Sequence, residues 1–157
     1  MGANTTDKIN LVSQVIGHLV DAIGDSGVSL RRALILVDID EHPQTTQAEI
    51  VDRLREDKST TSRNVDWLVD HGCVDRRQDD YDARLIHLRS SDFSSRHVGY
   101  ALSLFSGSHA DLKKFIFQFI QIFKGRIPSL REAQILATLG AMDEASPAEL
   151  AKQLDEI

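Results

Sequence analysis

The chain has 157 residues, 41% apolar and 27% charged, too apolar for a disordered chain and ordinary for one globular domain or one domain plus part of another. No run reaches the about 18 apolar residues of a spanning helix, and residues 1–10 lack the basic start and apolar core of a secretory signal. The single cysteine, Cys73, excludes an internal disulfide, so a cytoplasmic protein without membrane attachment is expected. The net charge of −6 is unevenly spread. Residues 1–52 hold three Lys/Arg and eight Asp/Glu, whereas residues 53–89 hold eight of each, with Arg53, Arg55, Lys58 and Arg63 close together. A basic stripe, if the fold makes one, is local.

The first predicted element is a helix carrying Ile9, Val12, Val15, Ile16, Leu19, Val20 and Ile23 at helical spacing, ended by Gly24 and Gly27. Ser29 caps a second helix with Leu30, Ala33, Leu34, Leu36 and Val37, which stops at His42-Pro43. Asp38, Asp40 and Glu41 read as its solvated end. Thr46-Gln47-Ala48-Glu49 is a capping box, and Ile50, Val51 and Leu54 form the buried side of the third helix. A fourth helix over 59–71 places Val65, Leu68 and Val69 on one face, with Gly72 at its C-terminus. The period then changes. Residues 73–77 and 84–88 read as two short strands around a turn at Gln78–Asp82, and two helices follow over 92–106 and 109–124. The expected fold is mainly α with a small β-hairpin wing, a winged helix-turn-helix.

A helix-turn-helix needs a supporting helix, a tight turn, and a second helix whose first residues face the DNA major groove. Residues 46–56 and 59–71 fit those parts. The second helix opens with Ser59, Thr60, Thr61, Ser62, Arg63 and Asn64, leaving its apolar packing residues for later. Hydroxyls bond phosphates or base edges, Arg suits guanine and Asn suits adenine. A helix N-terminus also favours phosphate. Arg76 and Arg77 on one strand, with Arg84 across the turn, form the wing, and an Arg at a wing tip can enter the minor groove. The alternative for Arg84 is a surface ion pair with Asp80 or Asp82.

Residues 29–89 resemble the DNA-binding lobe of MarR-family transcriptional regulators. The resemblance is carried by Thr46-Gln47-Ala48-Glu49-Ile50, by the run from Ser59 to Val74, and by Asp82-Ala83-Arg84-Leu85-Ile86-His87-Leu88, whose Asp-x-Arg wing is its most specific part. With the flanking helices it extends over roughly residues 8–124. It implies a homodimer on a near-palindromic double-stranded site, often near the regulator's own promoter, with the terminal helices at the dimer interface. It further implies that Thr60, Thr61, Arg63 and Asn64 lie in the major groove and Arg84 in the minor groove. Many members sense phenolic or oxidant effectors; no effector residue is carried over here.

The chain also repeats itself at an offset of 100 residues. Nine of the 26 positions from 29 to 54 are identical to those from 129 to 154, and Thr46…Glu49 recurs as Ser146…Glu149. The organisation expected is a winged helix-turn-helix unit over 1–107 with its reader at 46–89, then a partial second repeat over 108–157 serving assembly. Were the natural chain to continue past Ile157, tandem copies could form an intrachain pseudo-dimer. The six histidines show no metal-ligand spacing with Cys73, so neither metal nor cofactor is expected. Cys73, between Gly72 and Val74, reads as an inert strand residue and not a redox switch. No set of nucleophile, base and oxyanion donor can be assembled, so an enzyme is not expected. Two alternatives to a promoter regulator stay open: a protein-interaction module built from winged-helix repeats, and a DNA-binding replication or partition factor of a mobile element.

Overall fold

A computed structural model describes residues 5–24 and 29–122. The order is α1 (Thr5–Ile23), α2 (Leu30–Glu41), α3 (Gln47–Leu54), α4 (Lys58–Asp70), β1 (Val74–Gln78), β2 (Ile86–Ser90), α5 (Asp92–Ser103) and α6 (His109–Ile122). This is a winged helix-turn-helix, mainly α with one two-stranded antiparallel hairpin. The repeated segment 129–157 and the end of the last expected helix lie outside the described residues. No described helix is long and apolar enough to cross a membrane.

α2 is the hub. Its Leu30 and every residue from Ala33 to Ile39 are buried, because α3, α4, α5, α6 and β2 all pack around it. Its middle, Ala33–Val37, is an unbroken apolar run, and a helix segment apolar all round belongs inside a domain. α1 lays its Val15, Ile16, Leu19, Val20 and Ile23 stripe mainly on α5, and α6 buries Leu112, Ile116, Phe119 and Ile120 beside α2. Ser29 caps α2 by accepting from the Arg32 N–H. At the far end the His42 N–H returns to the Asp38 and Ile39 carbonyls.

That far end departs from the sequence expectation. Asp38 is no solvated residue: it is fully buried. Its carboxylate accepts from Arg53 Nε and Nη2 of α3, the shorter contact 2.7 Å, and from Lys113 Nζ of α6 at 3.0 Å. Two residues on, Asp40 accepts from Ser90 Oγ of β2 at 2.7 Å and pairs with His109 Nε2 of α6 at 2.8 Å. Glu41 takes Lys113 Nζ at 2.6 Å. The carboxylates of α2 thus tie the supporting helix, a wing strand and α6 to one element. Asp38, Glu41 and His42 also bring three potential ligand atoms within 4.8 Å of one another. Arg53 and Lys113 already supply the positive charge there, so the cluster is an ion-pair network.

The hairpin sits a residue or two later than expected, for a local reason. Cys73 closes the C-terminal wrap of α4, its N–H bonded to the Leu68 carbonyl at 2.8 Å, with Gly72 at φ +73° allowing the reversal. β1 therefore starts at Val74. Across the turn, the Leu85 N–H returns to the Asp82 carbonyl, holding Arg84 and Leu85 out of the ladder until Ile86. The register pairs Arg76 with Leu88 and Arg77 with His87. Thr45 adds a single bridge to Leu88, which anchors the hairpin against the start of the helix-turn-helix. Cys73 itself is buried beside the Ile23 carbonyl, and burial pushes its thiol up, away from the reactive thiolate.

Candidate nucleic-acid interface

α3 begins with the reciprocal cap its sequence encodes. Thr46 Oγ1 accepts from the Glu49 N–H at 3.3 Å, while Glu49 Oε1 accepts from the Thr46 N–H at 2.8 Å. It ends at Arg55, whose φ of +52° turns the chain sharply. α4 follows after two residues and buries Thr61, Val65 and Leu68. Those three positions fix which side of α4 faces inward, and hence which side faces out.

Ser59 and Arg63 are exposed on the outer side, and Thr60 and Ser62 are half-exposed at its margins. Arg63 Nη2 reaches back to Thr60 Oγ1 at 3.5 Å. Two other candidates point elsewhere. Thr61 is fully buried, its hydroxyl donating to the Asp57 carbonyl at 3.0 Å and to Glu56 at 3.2 Å, because it lies one turn before Val65 on the core face. Asn64 is half-buried on the flank toward α2, its Oδ1 accepting from Arg32 Nε at 3.3 Å. Neither sits on the open face where the resemblance would put them.

The N-terminus of α4 is also occupied. Asp57 is its cap: the carboxylate accepts from the Thr60 N–H and the Ser59 hydroxyl, each at 2.8 Å, and from the Thr60 hydroxyl. Those bonds, the Thr60 hydroxyl first, hold its pKa down at about 2. A phosphate arriving here would meet a carboxylate already seated on the helix dipole. Asp57 is hard to pick out in the sequence because Ser59, Thr60, Thr61 and Ser62 follow after Lys58, each a good cap in its own right.

The wing turn is acidic in sequence, yet each of its acids, Asp79, Asp80 and Asp82, is matched. Asp80 faces Arg77 at 3.6 Å. Asp82 takes a two-pronged contact from Arg84, Nε to Oδ1 and Nη2 to Oδ2, both at 3.1 Å. This braces the guanidinium while leaving the Arg84 side chain 90% exposed. Arg76 of β1 pairs with Asp66 of α4, joining wing to helix. Arg76 thus faces α4, whereas Arg77, the next residue of β1, points to the opposite face of the hairpin with His87.

Asp79 organises the turn. Its Oδ2 accepts the N–H groups of Tyr81 and Asp82, and its Oδ1 meets His87 Nε2 at 2.8 Å. His87 Nδ1 lies 2.8 Å from the Gln44 carbonyl. A carbonyl and a carboxylate can only accept, so this pair of contacts favours the doubly protonated ring. Its pKa is accordingly raised, by Asp79 first and then by Gln44, while His87 and the two N–H groups hold Asp79 at about 2. The raised His87 contributes fully below its ordinary value of about 6.5 and loses that contribution as pH climbs through its folded value. The lowered Asp79 contributes fully above its ordinary value of about 3.9, and this is lost as pH falls through about 2. The wing turn is therefore best pinned between about pH 3.9 and about pH 6.5, and loosens on the alkaline side as His87 gives up its proton. An imidazole NMR titration is expected to place His87 above a free histidine, with the Tyr81 and Asp82 amides losing exchange protection at the same alkaline step. A His87 titrating at or below the free value would contradict the pairing.

Among solved structures, the chain is similar to a mutant MarR from E. coli complexed with operator DNA, at 18% identity and a TM-score of 0.47 over 71% of this chain and 76% of that one. It is similar to a MarR transcriptional regulator from Methanosarcina mazei Go1 at 21% identity and 0.46, over 88% and 90% of the two chains. The PcaV transcriptional regulator from Streptomyces coelicolor, in complex with its natural ligand, aligns at 22% identity and 0.43, over 66% and 79%. No curated protein matches the chain. Residues 26–85, which run from before α2 to the far side of the wing turn and so contain the whole helix-turn-helix, match the model of the MarR family.

Proposed function

We propose that the chain is a transcriptional regulator of MarR type that binds double-stranded DNA in sequence-specific fashion, α4 entering the major groove and the tip of the hairpin lying at the minor groove. The observation that supports this reading is Arg84: a guanidinium almost fully exposed at a wing tip and braced by Asp82, in a hairpin joined to α4 by the Arg76–Asp66 pair. The family match spans the same segment. Ser59, Thr60, Ser62 and Arg63 supply the helix contacts, Arg76 and Arg77 the strand contacts, and Arg84 the groove contact. Two such surfaces, from a homodimer, would read the two halves of a near-palindrome. An effector, if one acts, is unidentified.

The test is selection of duplexes from a random library by the purified protein, followed by sequencing. A preferred motif is expected, with half-sites about one helical turn apart if the protein binds as a dimer. Enrichment of no motif would reject sequence-specific binding. Mapping the preferred motif to repeats beside a replication origin, and not to promoters, would favour the replication or partition alternative.

A further inference from the structure

α4 is held on its two flanks by different elements. Toward the hairpin, Asp66 pairs with Arg76. On the opposite flank, Arg32 from the first turn of α2 makes two contacts at once. Its guanidinium lies over the Trp67 ring, 4.3 Å from the centroid, and its Nε donates to Asn64 Oδ1 at 3.3 Å. His71 stacks on the same indole at 3.7 Å and 13° and bonds the Trp67 carbonyl through Nδ1 at 2.8 Å. The planar guanidinium suits both tasks, since it stacks on an aromatic face and donates in its own plane.

The contact with Asn64 has a chemical consequence. A side-chain amide offers one acceptor oxygen and an NH₂ donor. Asparagine reads adenine by using both together, accepting from N6 and donating to N7. With Oδ1 held toward α2 by Arg32, its second lone pair and the NH₂ can no longer swing together to one base edge, and the NH₂ is left for a phosphate oxygen, which needs only a donor. Its place on the flank of α4 toward α2, opposite the Asp66–Arg76 contact with the hairpin, is where the proposed groove-bound helix would pass the sugar–phosphate backbone.

We propose that Arg32, which lies outside the helix-turn-helix, is a positioning residue for DNA binding: it locks Asn64 as a donor-only contact to a phosphate oxygen and withdraws it from reading adenine. This rests on the DNA-binding reading above. Asn64 then adds affinity without sequence information, and Arg32 acts through it.

The experiment uses the full chain on two duplexes, one selected by the wild type from a random library and one scrambled. Arg32→Ala and Asn64→Ala are each expected to weaken binding to both duplexes, by roughly tenfold for one lost phosphate contact. The double variant is expected to lose no more than the weaker-binding single variant. Library selection repeated with Asn64→Ala is expected to return the wild-type bases. Trp67 is the only tryptophan, so its emission reports the stacking directly. It is expected to change in Arg32→Ala and to stay as in wild type in Asn64→Ala. Asn64→Asp keeps the acceptor facing Arg32 and removes the donor, so it is expected to fold normally and bind both duplexes weakly. Retained affinity in Asn64→Asp, losses that add in the double variant, or a preferred adenine lost in the Asn64→Ala selection would each overturn this assignment while leaving DNA binding intact. A wild type that enriches no duplex would overturn the DNA-binding reading itself, and this inference with it.

Discussion

Asp38→Leu is expected to destabilise the protein by about 3–5 kcal/mol, the usual result of stranding the partners of a buried ion pair. Asp38 is fully buried, and it neutralises Arg53 and Lys113, whose side chains are only 27% and 18% exposed. Arg53 keeps Thr45 Oγ1 at 2.7 Å and Lys113 keeps Glu41 at 2.6 Å, which places the loss toward the lower end of that range. The control is the triple variant Asp38→Leu, Arg53→Met, Lys113→Met. Replacing a whole buried ionic group by apolar side chains of similar volume is often neutral or stabilising, so the triple variant is expected to recover most of the loss. Urea unfolding at constant m-value measures both. A single variant within about 0.5 kcal/mol of wild type would show that the network carries little stability, a surface-like outcome. Hydrogen exchange adds a second readout: with Lys113 held by Glu41 alone, α6 is expected to open before α2 does.

That network also marks the limit of what the sequence reveals. Local rules sufficed where the determining contacts are local. The Thr46…Glu49 cap needs four consecutive residues, Ser29 caps the Arg32 N–H three residues on, and Gly72 supplies a positive φ just after a helix. The winged helix-turn-helix was legible because it is a string of such signals. Asp38 was misread as solvated because its two partners stand 15 and 75 residues away. Nothing in Asp38-Ile39-Asp40-Glu41 separates a buried carboxylate from an exposed one. The site was legible in the same uneven way. The helical period puts Val65 and Leu68 inside, and Thr61 follows from them by one turn backward, yet its polarity suggested a reader. Arg32 and His87 went unread because each acts across the fold, on Asn64 and Trp67 in one case and on Asp79 and Gln44 in the other.

Arg63 and Arg84 should fail differently when replaced. Arg63 stands on the outer side of α4, tethered among the described residues by a 3.5 Å contact to Thr60, and can make a two-pronged contact with guanine. Arg63→Ala is expected to cost about 1–3 kcal/mol, roughly 5- to 150-fold, on the selected duplex and to relax the preference at one base position. On a scrambled duplex it should cost much less. Arg84 carries its fork into solvent at the wing tip, where shape and phosphate potential matter more than base edges. Arg84→Ala is expected to weaken both duplexes and to lower the salt slope by about 1, the signature of one lost phosphate neutralisation. Arg84→Lys keeps the charge but cannot hold the paired contact with Asp82, so it is expected to restore the salt slope without restoring full affinity. Asp82→Ala supplies the remaining distinction. If Asp82 mainly cancels charge, removing it strengthens binding; if it mainly braces the guanidinium, removing it weakens binding. The bidentate geometry and the 34% residual exposure of the Asp82 side chain favour the brace. A tighter-binding Asp82→Ala would instead mark the wing acids as a brake on affinity.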